Sequence, residues 1–143
     1  MTRGQVQTGD MRIDVLGRQL YAALDAQDWS RIEQLVASDV AVQLGSAPLP
    51  ISFEQWRANH QRFCGGFPDG RHVIDDELVA GNQFVTRCRF QGTHTGVFAG
   101  KSPTGAAVCV GVIHIDRFSD GRLIEHHGQL DMLGLMQQIG AAS

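Results

Sequence analysis

Residues 106–131 read AAVCVGVIHIDRFSDGRLIEHHGQLD. Two runs rich in β-branched residues flank S-D-G-R, a tight-turn signal, so the stretch predicts a β-hairpin. Strand alternation then sorts the side chains. His114 and Asp116 share one face of the first strand with Val110 and Val112, while Gly111, Ile113 and Ile115 share the other. On the second strand, Glu125, His127, Gln129 and Asp131 alternate along one face, and Ile124, His126, Gly128 and Leu130 along the other. A single bulge exchanges the two faces, so parity alone leaves open which of them looks inward.

Working outward, residues 71–80 and 83–94 have the same Val/Ile/Phe/Thr character, and AGNQ and GKSPTG punctuate the series. Four strands at this spacing predict an antiparallel meander. The first half has a different period. From Met11 onward, Ile13, Leu16, Leu20, Ala23 and Leu24 recur at steps of three and four, which predicts an amphipathic helix. A second helix is expected from about Ser30 to Ala37, with Ser30 as cap and Glu33 three residues on. Residues 39–44 read as a short strand, broken by GSAPLP. A third helix after Ser52 carries Trp56, His60 and Phe63 and stops at Gly65-Gly66. MLGLMQQIG closes the chain as a last helical turn ending at Gly140.

Helices first and strands after is the α+β pattern, with helices packed on one face of a curved antiparallel sheet around an apolar pocket. The chain of 143 residues suits one domain, expected over residues 11–143, and the polar residues 1–10 read as a loose start. Hydrophobic residues make up 43% and charged residues 19%, ordinary globular values that argue against disorder. The net charge of −3, with no Lys/Arg run, gives no footprint for nucleic acid or an anionic membrane surface. No apolar run is long enough to span a bilayer, and the N-terminus has no apolar signal region, so a cytoplasmic location is expected. The three cysteines, Cys64, Cys88 and Cys109, form no C-x-x-C and read as inert thiols in mostly apolar settings.

Imidazoles and carboxylates on the last two strands point to acid–base chemistry, because a histidine titrates near neutrality and a buried carboxylate can be raised toward it. A solvated face with ion pairs is the plainer alternative. A metal site is not expected: His126 and His127 are neighbours on a strand and face opposite ways. GVFAGKS has too few residues between its glycines for a phosphate loop, and Pro103 stands where a helix should begin. Arg87 and Arg89 read as facing solvent or pairing with acids.

FPDG at 67–70, GTHTGVFAGKSPTG at 92–105, RFSDGRLIEHH at 117–127 and DMLGLMQQIG at 131–140 together resemble the SnoaL-like polyketide cyclase family, within the wider nuclear-transport-factor-like superfamily. The resemblance implies a cone-shaped α+β half-barrel with a deep apolar pocket, no metal or organic cofactor, and a homodimer or higher homo-oligomer. Family members close a ring by intramolecular aldol condensation, with an aspartate as general acid/base assisted by a His and a Gln. Aligned on Asp120-Gly121, the family His matches His114, the Gln falls on Val112 and the catalytic Asp falls on Gly128. His127 stands where many relatives have Trp. This chain therefore lacks the usual acid/base group, and His114 together with Asp131, His126 or His127 are the expected replacements.

The expectation is a cofactor-independent enzyme that cyclises or isomerises a hydrophobic, enolisable, polyketide-like small molecule. Val112, Gly128, Glu125, Trp56, His60 and Phe63 are the expected substrate contacts. Two alternatives stand beside it. One is hydroxylation or epoxide opening, with Glu125 or Asp131 activating water. The other is a non-catalytic ligand-binding or scaffold module of the same fold.

Overall fold

The apolar steps counted along the first half become α1 (Ile13–Asp25), which buries Leu16, Leu20, Tyr21, Ala23 and Leu24. This computed structural model describes residues 12–142, so the loose start expected over residues 1–10 lies outside the described residues. Gly17 marks where α1 meets the sheet most closely: a Cβ there would stand 2.1 Å from Phe84 Cδ2. The second helix is shifted from its expected place. α2 runs Trp29–Leu35, and its cap is Asp28 rather than Ser30, with the carboxylate accepting from the Arg31 amide at 3.1 Å. It ends at Leu35 because Val36 already has extended backbone and begins a strand. α3 (Phe53–Gly66) starts as expected, with Ser52 and Gln55 forming a reciprocal capping box.

The strands are β1 (Val36–Leu44), β2 (Arg71–Ala80), β3 (Gln83–Thr93), β4 (Ala107–Ser119) and β5 (Arg122–Leu130). Their order in the single sheet is β1-β5-β4-β3-β2. β2 to β5 form the antiparallel meander, but β1 pairs with β5 in parallel, so the curved, unclosed sheet is mixed rather than wholly antiparallel. Parallel pairing needs a long crossover, and α3 with the meander supplies it.

One irregularity decides the site. Burial alternates strictly through β4, with Val108, Val110, Val112, His114, Asp116 and Phe118 inward. On β5 the register steps from Arg117↔Glu125 to Phe118↔Leu123, leaving Ile124 as an extra residue. That bulge lets both Leu123 and His126 point inward. Gly128 and Leu130 then share the inner side with His126, while Glu125, His127 and Gln129 lie outward. Two rows cross the inner surface: Thr86–His114–Gly128–Leu44 and Phe84–Asp116–His126–Val42.

The helices cover this surface through two apolar clusters. Leu20, Ile32, Val42, Phe84, Phe118 and Leu123 anchor one. Phe67, Phe90, Phe98, Leu135 and Ile139 form the other. α4 (Met132–Gln138) follows β5 directly, and Gly140, at φ +76°, ends it in the left-handed conformation that suits glycine. Among the described residues no helix is long and apolar enough to cross a membrane.

Candidate active site

Between the two clusters lies a cavity of about 270 Å³, walled by α1, α3 and the inner face of the sheet. Most of its lining is apolar, including Leu24, Trp56, Phe63, Phe67, Phe90, Val112 and Leu130. Into this wall project four imidazoles, those of His60, His72, His114 and His126.

Asp116 and His126 are directly opposed across β4 and β5. Asp116 is fully buried, and its Oδ1 lies 2.5 Å from His126 Nδ1. The Tyr21 hydroxyl donates to its other oxygen. Burial, reinforced by this carboxylate, pushes the Tyr21 hydroxyl well above its ordinary range, so it remains a donor. With Nδ1–H donating to Asp116, Nε2 is the ring nitrogen of His126 left to meet a substrate, as in a carboxylate-oriented imidazole. Trp56 stacks on this ring at 4.6 Å between centroids and holds its plane. Nε2 lies only 3.5 Å from the point where Gly128 would carry a Cβ.

His114 is the neighbouring ring, 5.3 Å from His126. Its Nδ1 lies 3.3 Å from the Thr86 hydroxyl. Burial, then the nearby His126 and His72, hold His114 well below the usual imidazole range, so it is neutral at pH 7. On its other side, at 5.5 Å, His72 forms a second carboxylate–imidazole pair. Asp25 receives both the His72 ring Nδ1, at 2.6 Å, and its backbone N–H, at 2.9 Å. His60 donates Nε2–H to the Leu24 carbonyl at 2.8 Å, and burial lowers its pKa.

The structure thus divides the expected site residues. His114, His126, Val112, Gly128, Trp56, His60 and Phe63 all line the cavity. Glu125, His127 and Asp131 do not, because the β5 bulge turns their side of the strand outward. Glu125 sits 3.3 Å from Arg117, and exposed His127 lies 3.9 Å from Glu125. Asp131 is exposed and caps α4, accepting from the Gly134 amide at 2.9 Å. None of these three is positioned to replace the missing acid/base group or to activate water in the cavity.

Three contributors escaped the sequence reading: Tyr21, Asp25 and His72. Asp116 was placed on the face of His114 but not in the site. Its parity with His114 was a usable signal. The others had none, since Asp25 and His72 are 47 positions apart and Tyr21 and Asp116 are 95 apart. Cys64 and Cys88 have thiols raised by burial, as expected of unreactive cysteines, whereas strand parity leaves Cys109 exposed on the outer face. Arg89 faces outward and pairs with Asp75 at 2.7 Å. Among the described residues, no three His, Cys, Asp or Glu side chains converge in a metal-binding arrangement.

Comparison with known proteins bears on the family and the fold. The family model for the SnoaL-like polyketide cyclases matches residues 14–139. Among solved structures, the chain is similar to IdmH of Streptomyces antibioticus, a candidate polyketide cyclase, with 28% identity and a TM-score of 0.83 over 91% of this chain and 99% of that one. It is similar to TsrD of Streptomyces laurentii, with 25% identity and a TM-score of 0.77 over 92% and 99%. AclR of Streptomyces galilaeus, a candidate hydroxylase, has 23% identity and a TM-score of 0.83 over 92% and 86%, and shares the fold. Comparison with curated proteins gives no match. With the family model spanning nearly the whole described chain, and the helix-covered, curved sheet in place, this protein belongs to the SnoaL-like polyketide cyclase family.

Proposed function

We propose that this chain is a cofactor-independent acid–base enzyme that cyclises or isomerises a hydrophobic, uncharged, polyketide-like carbonyl compound. The observation that carries the reading is the buried Asp116–His126 pair beside the side-chain-free Gly128, in a cavity whose walls are mostly apolar. His126 Nε2 removes a proton from the carbon next to the carbonyl, and the C–H electron pair moves into the enolate. His114 is neutral. In the tautomer whose Nδ1 accepts from the Thr86 hydroxyl, 3.3 Å away, its proton sits on Nε2 and is a donor for the developing enolate oxygen. The enolate carbon then attacks a second carbonyl, closing a ring, or is reprotonated at another position. The proton taken up at His126 Nε2 is then returned to the new alkoxide oxygen or to the carbon being reprotonated, so the base is regenerated, while His72, held by Asp25, completes the polar wall beside His114. The cavity lining includes no Lys or Arg among the described residues, which suits an uncharged substrate over a carboxylate.

The test is deuterium exchange, followed by NMR, on enolisable aromatic ketones and polyketide-like esters in D₂O. Wild type should exchange the α-protons faster than buffer. His126→Gln should lose about 10²–10⁴-fold, the usual worth of a positioned acid/base group. Ligands that bind without any exchange would overturn the reading in favour of a binding module.

A further inference from the structure

Six of the fifteen described glycines, Gly45, Gly81, Gly100, Gly105, Gly121 and Gly140, adopt a left-handed backbone, and Gly128 is not one of them. A Cβ at Gly128 would meet His114 Cδ2 at 3.3 Å, His126 Nε2 at 3.5 Å and Leu44 Cδ2 at 3.6 Å. Those contacts are close but need only small adjustments, in contrast to Gly17, where a Cβ would overlap the Phe84 ring. So backbone conformation does not demand glycine here, a Cβ would need the His114 ring to give by a few tenths of an ångström, and a strand interior ordinarily disfavours glycine. What its absent side chain does create is a notch in the cavity wall. The floor is the β5 backbone, and the walls are two imidazole edges and Leu44. The notch is about one carbon deep and opens beside the only basic nitrogen of His126.

We propose that this notch receives a substituent carried on the substrate's enolising carbon, making Gly128 a specificity-determining residue that admits α-substituted ketones. The proposal rests on the acid–base reading above. A substituent lodged between His114 and His126 brings the carbon that bears it up to Nε2. A methyl group on residue 128 would fill the same space, and a substituted carbon would be held back from the base. A single methyl in a fitted apolar site is worth about 10–200-fold in discrimination.

The test compares α-deuterium exchange of acetophenone and propiophenone, which differ by one methyl on the enolising carbon. Wild type should exchange both. Gly128→Ala should lower the propiophenone-to-acetophenone rate ratio by about 10–200-fold, whatever it does to the acetophenone rate itself. The ratio is the readout because damage to the fold or the base lowers both rates together. Leu44→Phe adds bulk to the third wall of the notch and should move the ratio the same way, which keeps the proposal testable if Gly128→Ala melts too low to assay. An unchanged ratio in an exchanging protein overturns the role of the notch and leaves the acid–base reading intact. No exchange of either ketone by wild type overturns both.

Discussion

Replacing Asp116 with Asn separates orientation of the base from stability of the fold. Asn is nearly isosteric, so Tyr21 can still donate to Oδ1. Its Nδ2–H, however, donates toward His126 Nδ1, where the carboxylate accepted at 2.5 Å. The imidazole proton is thereby moved to Nε2, and the nitrogen facing Gly128 becomes a donor instead of a base. Each of the two hydrogen bonds changes from charge-assisted to neutral, a loss of about 1 kcal/mol apiece. For a chain of this length the unfolding entropy is about 0.3 kcal/mol/K, so the melt should fall by no more than about 7 °C. Activity should fall much further, by about 10²–10⁴-fold, since the base is in the wrong tautomer. The assays are deuterium exchange for activity, circular dichroism for the melt and ¹⁵N shifts of the His126 ring for the tautomer. Exchange within a few-fold of wild type, with the ring proton moved to Nε2, would refute His126 as the base.

Three further outcomes follow from the same geometry. His114 and His60 are both held below the ordinary imidazole range by burial, so below about pH 6.5 the unfolded chain binds more protons than the folded one. Stability should therefore be full above that pH and fall beneath it, by at most about 1.4 kcal/mol per pH unit for each group. Urea midpoints of His114→Gln should show a correspondingly shallower acid slope, and an unchanged slope would count against a neutral buried His114. Asp131→Ala removes the α4 cap, so it should cost about 1 kcal/mol of stability yet leave exchange at the wild-type rate. A large loss of exchange there would return Asp131 to the site. Gly17→Ala should lower the melt despite alanine's better helix propensity, because its Cβ would overlap Phe84, and overpacking typically costs about 1–3 kcal/mol. A higher melt would show that α1 can lift off the sheet without penalty.

The division between sequence and tertiary structure runs through particular residues. Periodicity alone established the helices before the strands, the meander over residues 71–131 and the shared face of His114 and Asp116. Those features are local: side chains alternate along a strand and recur along a helix whatever the rest of the chain does. Even helix ends were legible where a side chain caps within its own turn, as at Ser52. The second helix was legible only roughly: Ser30 is the cap its sequence suggests, and the folded chain uses Asp28 instead. Only the folded sheet could orient β5, because the bulge at Ile124 depends on how that strand pairs with β4, and it turned His126 inward and Glu125 and His127 outward. Only the folded sheet could bring Asp25 to His72 and Tyr21 to Asp116, since hydrogen bonds between distant positions leave no periodic trace. The sequence by itself determined the fold class and the stock of imidazoles. Tertiary structure chose which of them face the cavity and which carboxylate holds each one.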